Sequence, residues 1–154
     1  MDHDEYLYFL RRAFDGMIGA LEELGDERAC TTPPLTGANS PYAITRHCMA
    51  VADYWIGHVI AGRAVERDRP AEFTSRGTAA DLKESLDLLF GRLRADLLGA
   101  SGSSSPRNTP PGSFEGPDRD LTCVGVQLHV LEELAQHHGQ VQISRDLLLA
   151  GEAR

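Results

Sequence analysis

The sequence predicts an all-α fold, a four-helix bundle with a long loop between its third and fourth helices. Apolar residues recur at spacings of three and four in four separate segments, the pattern of helices that bury one face. No run of alternating residues is bounded by hairpin turns, so no strand is predicted. Four such helices in 154 residues are typical of a single bundle, and we expect residues 1–154 to form one domain.

The first two predicted helices are separated by a loop rich in helix-breaking residues. An apolar stripe over residues 4–24 ends at Gly25, a residue type that commonly ends helices. The stretch CTTPPLTGANS then forms the loop. Ser40 supplies a capping hydroxyl just before Pro41, which suits the first helical position, so the second helix is predicted to run from there to about Gly62.

The third and fourth predicted helices flank the longest predicted loop. Thr78 and Asp81 resemble a capping box, which predicts a helix over residues 79–98. About twenty residues rich in Gly, Ser and Pro follow, and we interpret those around 100–117 as a crossover, a lid or a tether without a role. No proline interrupts the apolar face from about 120 to 150, which predicts the longest helix.

The charge balance and the cysteine content narrow the classes of partner. Fifteen Lys and Arg against 23 Asp and Glu give a net charge of −8, which repels nucleic-acid phosphates and anionic lipids. The most apolar segment, AVADYWIGHVIAG, is interrupted by Asp53 and His58, so no membrane span is predicted. Cys30, Cys48 and Cys123 form no CxxC pair and are expected to be free thiols. We therefore expect a cytoplasmic protein without nucleic-acid or membrane partners.

Histidines occupy positions where core residues are expected. His47 falls on the buried stripe of the second helix, between Ile44 and Val51. One side of the fourth helix carries Val126, His129, Glu133, His137 and Gln140, at spacings of three, four, four and three. A carboxylate that faces the interior is costly unless it is paired, hydrogen-bonded or bound to a metal.

Two combinations of these residues are compatible with a metal site. Glu133 and His137 share one helix face, and His47 from a facing helix would complete three ligands with one open coordination position, as in catalytic zinc sites. His129 and Glu133 have the same spacing, whereas His129 and His137 lie ~12 Å apart along the axis, too far to share one ion. Zn²⁺ suits this donor set, and Fe²⁺, Ni²⁺ or Mn²⁺ also occupy such sites. The alternative is a set of hydrogen-bonded core histidines with Glu133 as their partner.

Three segments together resemble the DinB-like superfamily. These segments are AITRHCMAVADYWIGHVIAGR, RDRPAEF and HVLEELAQHHGQVQISRDLL. They are similar to the mycothiol-dependent maleylpyruvate isomerase N-terminal domain and to related thiol S-transferases, and the likeness spans all four helices. The resemblance implies that His47, Glu133 and His137 are the metal ligands. Many members of the superfamily have a histidine at the position of Glu133, whereas the isomerase branch is similar to this sequence in having a glutamate there. The second domain of that isomerase has no counterpart in this sequence, so isomerisation of maleylpyruvate is not expected.

The resemblance implies a metal-dependent transferase, with zinc as the first choice of metal. Such an enzyme activates a low-molecular-weight thiol, mycothiol before others, for attack on an electrophilic small molecule in detoxification or biosynthesis. Metal coordination deprotonates a thiol, and only the thiolate is a competent nucleophile. Two other functions stay open: a metal-dependent hydrolase that activates water, and a non-catalytic metal-binding or dimerisation module. Broad apolar faces on the last two predicted helices are compatible with a homodimer.

Further residues of the fourth helix are assigned roles around the site. A ligating imidazole usually donates its other N–H to a neighbouring group, and Gln140 and His129 are the nearest candidates for that partner. His129 is alternatively a general acid or base. His138 is rotated ~100° from His137 and is expected to face another wall or the surface. Arg145 either serves the C-terminal end of the helix or holds a substrate carboxylate.

Four residues of the second helix are expected to be structural. Tyr54 and Trp55 are interpreted as packing residues, with Trp55 as an anchor between helices. His58 lies ~16 Å along the axis from His47 and cannot bind the same ion. Asp53 is expected to be solvated or paired with an arginine.

Overall fold

The computed structural model describes residues 2–100, 103–112, 116 and 118–151, and these residues form helices and connections without any strand. The elements are α1 (His3–Leu24), α2 (Asp26–Ala29), α3 (Pro41–Ala52), a π-helix (Asp53–Ile60), α4 (Arg69–Thr74), α5 (Ala79–Leu98) and α6 (Cys123–Ala150). The all-helical prediction is confirmed. The four long helical segments lie where the four helices are predicted, and α2 and α4 are two short helices that the sequence analysis did not predict. No described helix is long and apolar enough to cross a membrane.

Side-chain caps begin the long helices where the sequence predicts them. The Ser40 hydroxyl accepts the backbone N–H of Ala43 at 3.2 Å, and Pro41 follows in the first turn of α3. Thr78 and Asp81 form a reciprocal capping box at the start of α5, with distances of 3.1 and 3.3 Å. These caps satisfy backbone donors that have no partner within the helix.

The second predicted helix changes its geometry in the middle. It is an α-helix only to Ala52 and continues as a π-helix over Asp53–Ile60. The wider turn shows at its end, where the N–H of Ala61 donates to the carbonyl of Ile56, five residues earlier, at 3.0 Å. The spacing of three and four that predicts the second helix therefore does not describe side-chain directions beyond Ala52.

Pairs of contacting residues show the direction of each long helix. Glu23 pairs with Arg145 at 3.1 Å, and Gly16 lies against His138, so α1 and α6 run parallel. Two ion pairs of 2.6 Å show that α1 and α5 run antiparallel: Asp4 with Arg94 and Arg11 with Asp87. Two ring contacts show that α3 and the π-helix run antiparallel to α6: His47 with His137 and Trp55 with His129.

It follows that α3 and α5 are parallel, and the chain must return along the bundle between them. Residues 61–78, which carry α4, make this return, so the crossover is not the loop around 100–117 that the sequence analysis considered. That later segment joins the antiparallel helices α5 and α6. It is attached to the end of the π-helix, where the carbonyl of Val59 accepts the N–H groups of Arg107 and Asn108 at 2.9 and 3.1 Å.

The core consists of the predicted apolar stripes. Its fully buried large side chains include Leu10, Phe14, Met17, Leu21, Ile44, Ile56, Leu86, Leu89 and Leu93. The three cysteines are buried and free, as expected. The apolar core thus lies between the four long helical segments, and the polar residues of α3 and α6 meet at one side of it.

Candidate metal centre

Two imidazoles and one carboxylate converge where α3 crosses α6. His47, Glu133 and His137 each offer one ligand atom, and these atoms all lie within 4.8 Å of one another. The rings of His47 and His137 are nearly perpendicular, with centroids 5.2 Å apart, and Nε2 of His137 is 3.7 Å from Oε2 of Glu133. Within the described part of the chain, no second group of three such residues is this close.

The three residues lie at the wall of a pocket of about 270 Å³. His47 is buried, whereas Glu133 and His137 expose 30% and 25% of their side chains. The other lining residues are Asn39, Ile44, Val51, Trp55, Arg67, Arg69, Phe73, Gln136 and Gln140. Glu133 and His137 are therefore accessible to a small molecule in this pocket, whereas His47 is fixed in the protein interior.

A buried carboxylate that the sequence analysis did not identify holds the ring of His47. Glu72 is only 6% exposed, and its Oε2 lies 2.7 Å from Nδ1 of His47. The next residue, Phe73, stacks on the same ring with centroids 4.7 Å apart. Both residues belong to α4, whose N-terminus is capped by Asp68. The only sequence signal for this helix is Asp68 followed by Pro70, a capping residue and a proline in the first turn.

Arg67 makes a two-point contact with Glu72. Its Nε lies 2.8 Å from Oε1, and its terminal nitrogen lies 3.1 Å from Oε2. Burial raises the pKa of Glu72, but the hydrogen bonds from His47 and Arg67 outweigh burial and leave this pKa below its ordinary value. Glu72 is therefore an ionised acceptor. Nδ1 of His47 donates to it, which leaves the lone pair of Nε2 for a metal.

Gln140 holds the second ring in the same way. Its Oε1 lies 2.8 Å from Nδ1 of His137, and a carbonyl oxygen only accepts, so this nitrogen carries the hydrogen. In the neutral ring, this tautomer leaves the lone pair of Nε2 on the side of Glu133. Gln140 thus occupies the position that the sequence analysis expected for a hydrogen-bonding partner of a ligating imidazole.

His129 lies outside the cluster. It is buried, its ring contacts Trp55 edge to face with centroids 4.5 Å apart, and its Nε2 has no hydrogen-bond partner among the described residues. Burial lowers its pKa. The structure does not bring His129 together with His47 as a set of ligands, so of the two combinations only the one with His137 converges.

The other residues singled out on the second predicted helix make contacts away from the ligands, except for Trp55. Trp55 lines the pocket. Nδ1 of His58 donates to the carbonyl of Arg63 at 3.0 Å, and the ring of His58 packs on Tyr54. Asp53 was expected to be either solvated or paired with an arginine. It is paired, because the guanidinium of Arg63 binds both Asp53 and Asp96.

Two further residues of α6 face other helices. The ring of His138 lies against Gly16 of α1, and burial lowers its pKa. Arg145 pairs with Glu23 and Asp146, so it is engaged near the C-terminal end of α6, away from the pocket. No substrate-binding role is supported for either residue.

The sequence matches one family of known proteins over nearly its whole length. A family model described as mycothiol S-transferase matches residues 6–150. Neither the curated proteins nor the solved structures contain a match to this sequence. The matched range includes all the helices that carry the converging histidines and the carboxylate. The chain therefore belongs to the mycothiol S-transferase family.

Proposed function

We propose that the protein is a metal-dependent mycothiol S-transferase and that His47, Glu133 and His137 hold the metal. The observation that carries the proposal is the convergence of their three ligand atoms within 4.8 Å at a pocket wall. Family membership supports mycothiol as the thiol. We also propose that the long helices form one domain of the DinB-like four-helix type, and that the enzyme acts in the cytoplasm.

The donor set fits a divalent cation of borderline softness. Two imidazole nitrogens and one carboxylate oxygen suit Zn²⁺, and three protein ligands leave a coordination position for a substrate. The hydrogen bonds support the same assignment, because Glu72 and Gln140 each engage Nδ1 and leave Nε2 of the two rings to bind. Zinc is our first choice, since it activates thiols without redox chemistry.

The chemistry follows from the position of the ligands. A bound divalent cation supplies the positive charge that keeps a thiol deprotonated at neutral pH. The residues of the chain would fix the reacting geometry, because Glu72 and Gln140 orient the two imidazoles and polar side chains such as Gln136 line the pocket that receives the thiol. The thiolate sulfur would then form a bond to an electrophilic carbon while the bond from that carbon to its leaving group breaks. The leaving group takes the bonding electrons, the thiol proton passes to solvent, and the product is a thioether, as in detoxification by conjugation.

Gln140 and His129 have different roles in this proposal. Gln140 is a positioning residue, because it touches the ring of His137 and lines the pocket. His129 contacts Trp55 and does not line the pocket of the ligands, so we assign it to the support of the indole rather than to proton transfer.

The test combines metal analysis with thiol consumption. Purified wild type is expected to contain about one zinc per chain, and His47→Ala and Glu133→Gln are expected to lose it. The zinc-loaded enzyme is then incubated with mycothiol, bacillithiol or glutathione and monochlorobimane, and formation of the fluorescent thioether is followed. Mycothiol should react fastest. A zinc-loaded enzyme that leaves every thiol unconsumed above background would refute the transferase. Zinc-dependent hydrolysis of an ester, offered to the enzyme in a separate assay without thiol, would favour the water-activating alternative.

A further inference from the structure

The π-helix over Asp53–Ile60 supplies one wall of the pocket of the metal ligands. This helical geometry is rare in proteins and is frequently found at functional sites. Trp55 lies in its first turn, is only 4% exposed and lines the pocket. The same indole contacts the ring of His129 on α6 edge to face, with centroids 4.5 Å apart. The position of this wall therefore depends on what holds the π-helix in its geometry.

The backbone of Arg63 is bonded to the last turn of the π-helix. Its N–H donates to the carbonyl of Gly57 at 2.8 Å, and its carbonyl accepts a hydrogen bond from Nδ1 of His58 at 3.0 Å. Just before it, Gly62 has a φ of 75°, a conformation that favours glycine. This turn sends the chain back toward the helix that it has just left, so that Arg63 lies against it.

The side chain of Arg63 reaches the first residue of the same helix and ties it to α5. The guanidinium binds the carboxylate of Asp53. Its terminal nitrogen also lies 2.9 Å from Oδ2 of Asp96 on α5, and its Nε lies 3.2 Å from the same oxygen. A planar guanidinium engages two carboxylates at once in a way that an ammonium group does not. All three side chains are partly buried, so salt and water screen these contacts less than they screen a surface pair.

Gly57 is the residue that admits the guanidinium. An added Cβ at this position would clash with the terminal nitrogen of Arg63 and lie 2.6 Å from the central guanidinium carbon. The guanidinium therefore crosses the π-helix at a glycine, between its ion pair with Asp53 and its backbone bonds at the end of the helix. A single arginine thus contacts the beginning, the middle and the end of the π-helix.

We propose that Arg63 is a positioning residue that holds the π-helix and thereby keeps the indole of Trp55 at the wall of the pocket, where it contacts the thiol. This rests on the proposed transferase function, which assigns the pocket to the thiol. Without the contacts of Arg63, the segment can adopt the commoner α-helical geometry, and the side chains after Ala52 then point in other directions around the axis. The indole would leave His129 and the pocket wall. The three metal ligands would stay in place, because they lie on α3 and α6.

The position of the indole can be measured without turnover, because Trp55 is the only tryptophan of the sequence. Arg63→Met removes the guanidinium and retains an unbranched side chain. We expect its tryptophan emission to move to longer wavelength, as the indole leaves its buried site, while its zinc content stays that of wild type. Arg94→Met is the matched control, since it removes an arginine that pairs with Asp4 on the exposed surface, and it should have the emission of wild type.

Steady-state kinetics with mycothiol and monochlorobimane test whether the indole acts on the thiol. Arg63→Met should raise KM for mycothiol about three- to tenfold and leave kcat within about twofold of wild type, the pattern of a lost binding contact. Unchanged emission and KM in a less stable variant would overturn the proposal. A shifted emission with an unchanged KM would also overturn it, because the indole would then have no part in binding the thiol. A wild type that transfers no thiol would refute the transferase, and the emission spectra would still decide whether Arg63 holds the indole.

A substitution that keeps every charge repeats the test and replaces it if Arg63→Met does not fold. Gly57→Ala places a methyl group where the guanidinium lies, whereas an added Cβ on Gly91 of α5 meets nothing within 4 Å. Gly57→Ala should shift the emission and raise KM in the same direction as Arg63→Met but by a smaller factor, because the end of a flexible side chain can move aside. Gly91→Ala should have the emission and the KM of wild type. A Gly57→Ala protein that behaves like Gly91→Ala in both measurements would overturn the proposal.

Discussion

Oε2 of Glu72 lies 2.7 Å from Nδ1 of His47, although 25 positions separate the two residues in the sequence. The distance is a consequence of topology. Because α3 and α5 run parallel, residues 61–78 must return along the bundle, and this return places α4 beside the ring of His47. The crossover therefore contributes a buried carboxylate to a site whose three candidate ligands come from the long helices.

The first prediction concerns this carboxylate. Glu72→Gln keeps the size of the side chain but removes its charge, so the lone pair of His47 becomes less basic and the ring less firmly oriented. We expect zinc affinity to fall about 10–100-fold, measured by competition with a chromophoric chelator. Glu66→Gln, an exposed residue of the same crossover, is the matched control. An unchanged affinity in Glu72→Gln would show that Glu72 does not act on the metal through His47.

The second prediction separates stability from function at the buried ion pair. The side chains of Arg67 and Glu72 are 5% and 6% exposed. Arg67→Met leaves the Glu72 charge without its two-point partner and should lower the free energy of unfolding by about 3–5 kcal/mol in urea titrations. Arg67→Met combined with Glu72→Leu should recover most of this loss, because both charges are then absent, yet it should bind zinc as weakly as Glu72→Gln. A double variant that stays as unstable as Arg67→Met would contradict this account.

The helices were predictable where periodicity and caps act locally. The starts of α3 and α5 follow from Ser40 and from the capping box of Thr78, whose hydrogen bonds span three residues. The change to a π-helix at Asp53 was not predictable, because the same apolar residues fit a helix of either geometry. The relative directions of the helices could not be predicted either, since a buried stripe shows which face of a helix is covered but not which helix covers it.

The candidate site was predictable only in part. Spacing alone left His129 and His137 as alternatives, and the family resemblance favoured His137, which the structure brings to His47 and Glu133. Glu72 was missed because it lies in a polar stretch, on a helix of six residues without an apolar stripe. Its burial depends on where the crossover lies, and that is a tertiary property.

The third prediction concerns the link between metal binding and thermal stability. A ligand that binds only the folded state at 100 times its Kd stabilises that state by about 2.7 kcal/mol, which corresponds to a rise in Tm of about 5–10 °C for a chain of this size. We expect zinc to produce such a rise in wild type and a chelator to reverse it. His137→Ala should abolish the rise, whereas His3→Ala, at the start of α1, should retain it. A zinc-dependent rise that persists in His137→Ala would place the metal elsewhere.

The last prediction uses two glycines of α1 that meet different neighbours. An added Cβ on Gly19 meets nothing within 4 Å, so Gly19→Ala should stabilise the protein by up to about 1 kcal/mol through helix propensity. An added Cβ on Gly16 would clash with Nε2 of His138, so Gly16→Ala must displace this ring and should cost about 1–3 kcal/mol.

Urea denaturation of the two variants and of Gly16→Ala combined with His138→Ala tests the cause. The second substitution removes the ring that the new methyl group would strike, so the combined variant should be more stable than the sum of its two single changes predicts. Simple additivity would mean that the cost at Gly16 arises from the backbone of α1 and not from its contact with α6. Because His138 follows His137 directly, a displaced ring should also weaken zinc binding in Gly16→Ala, and Gly19→Ala should bind zinc like wild type.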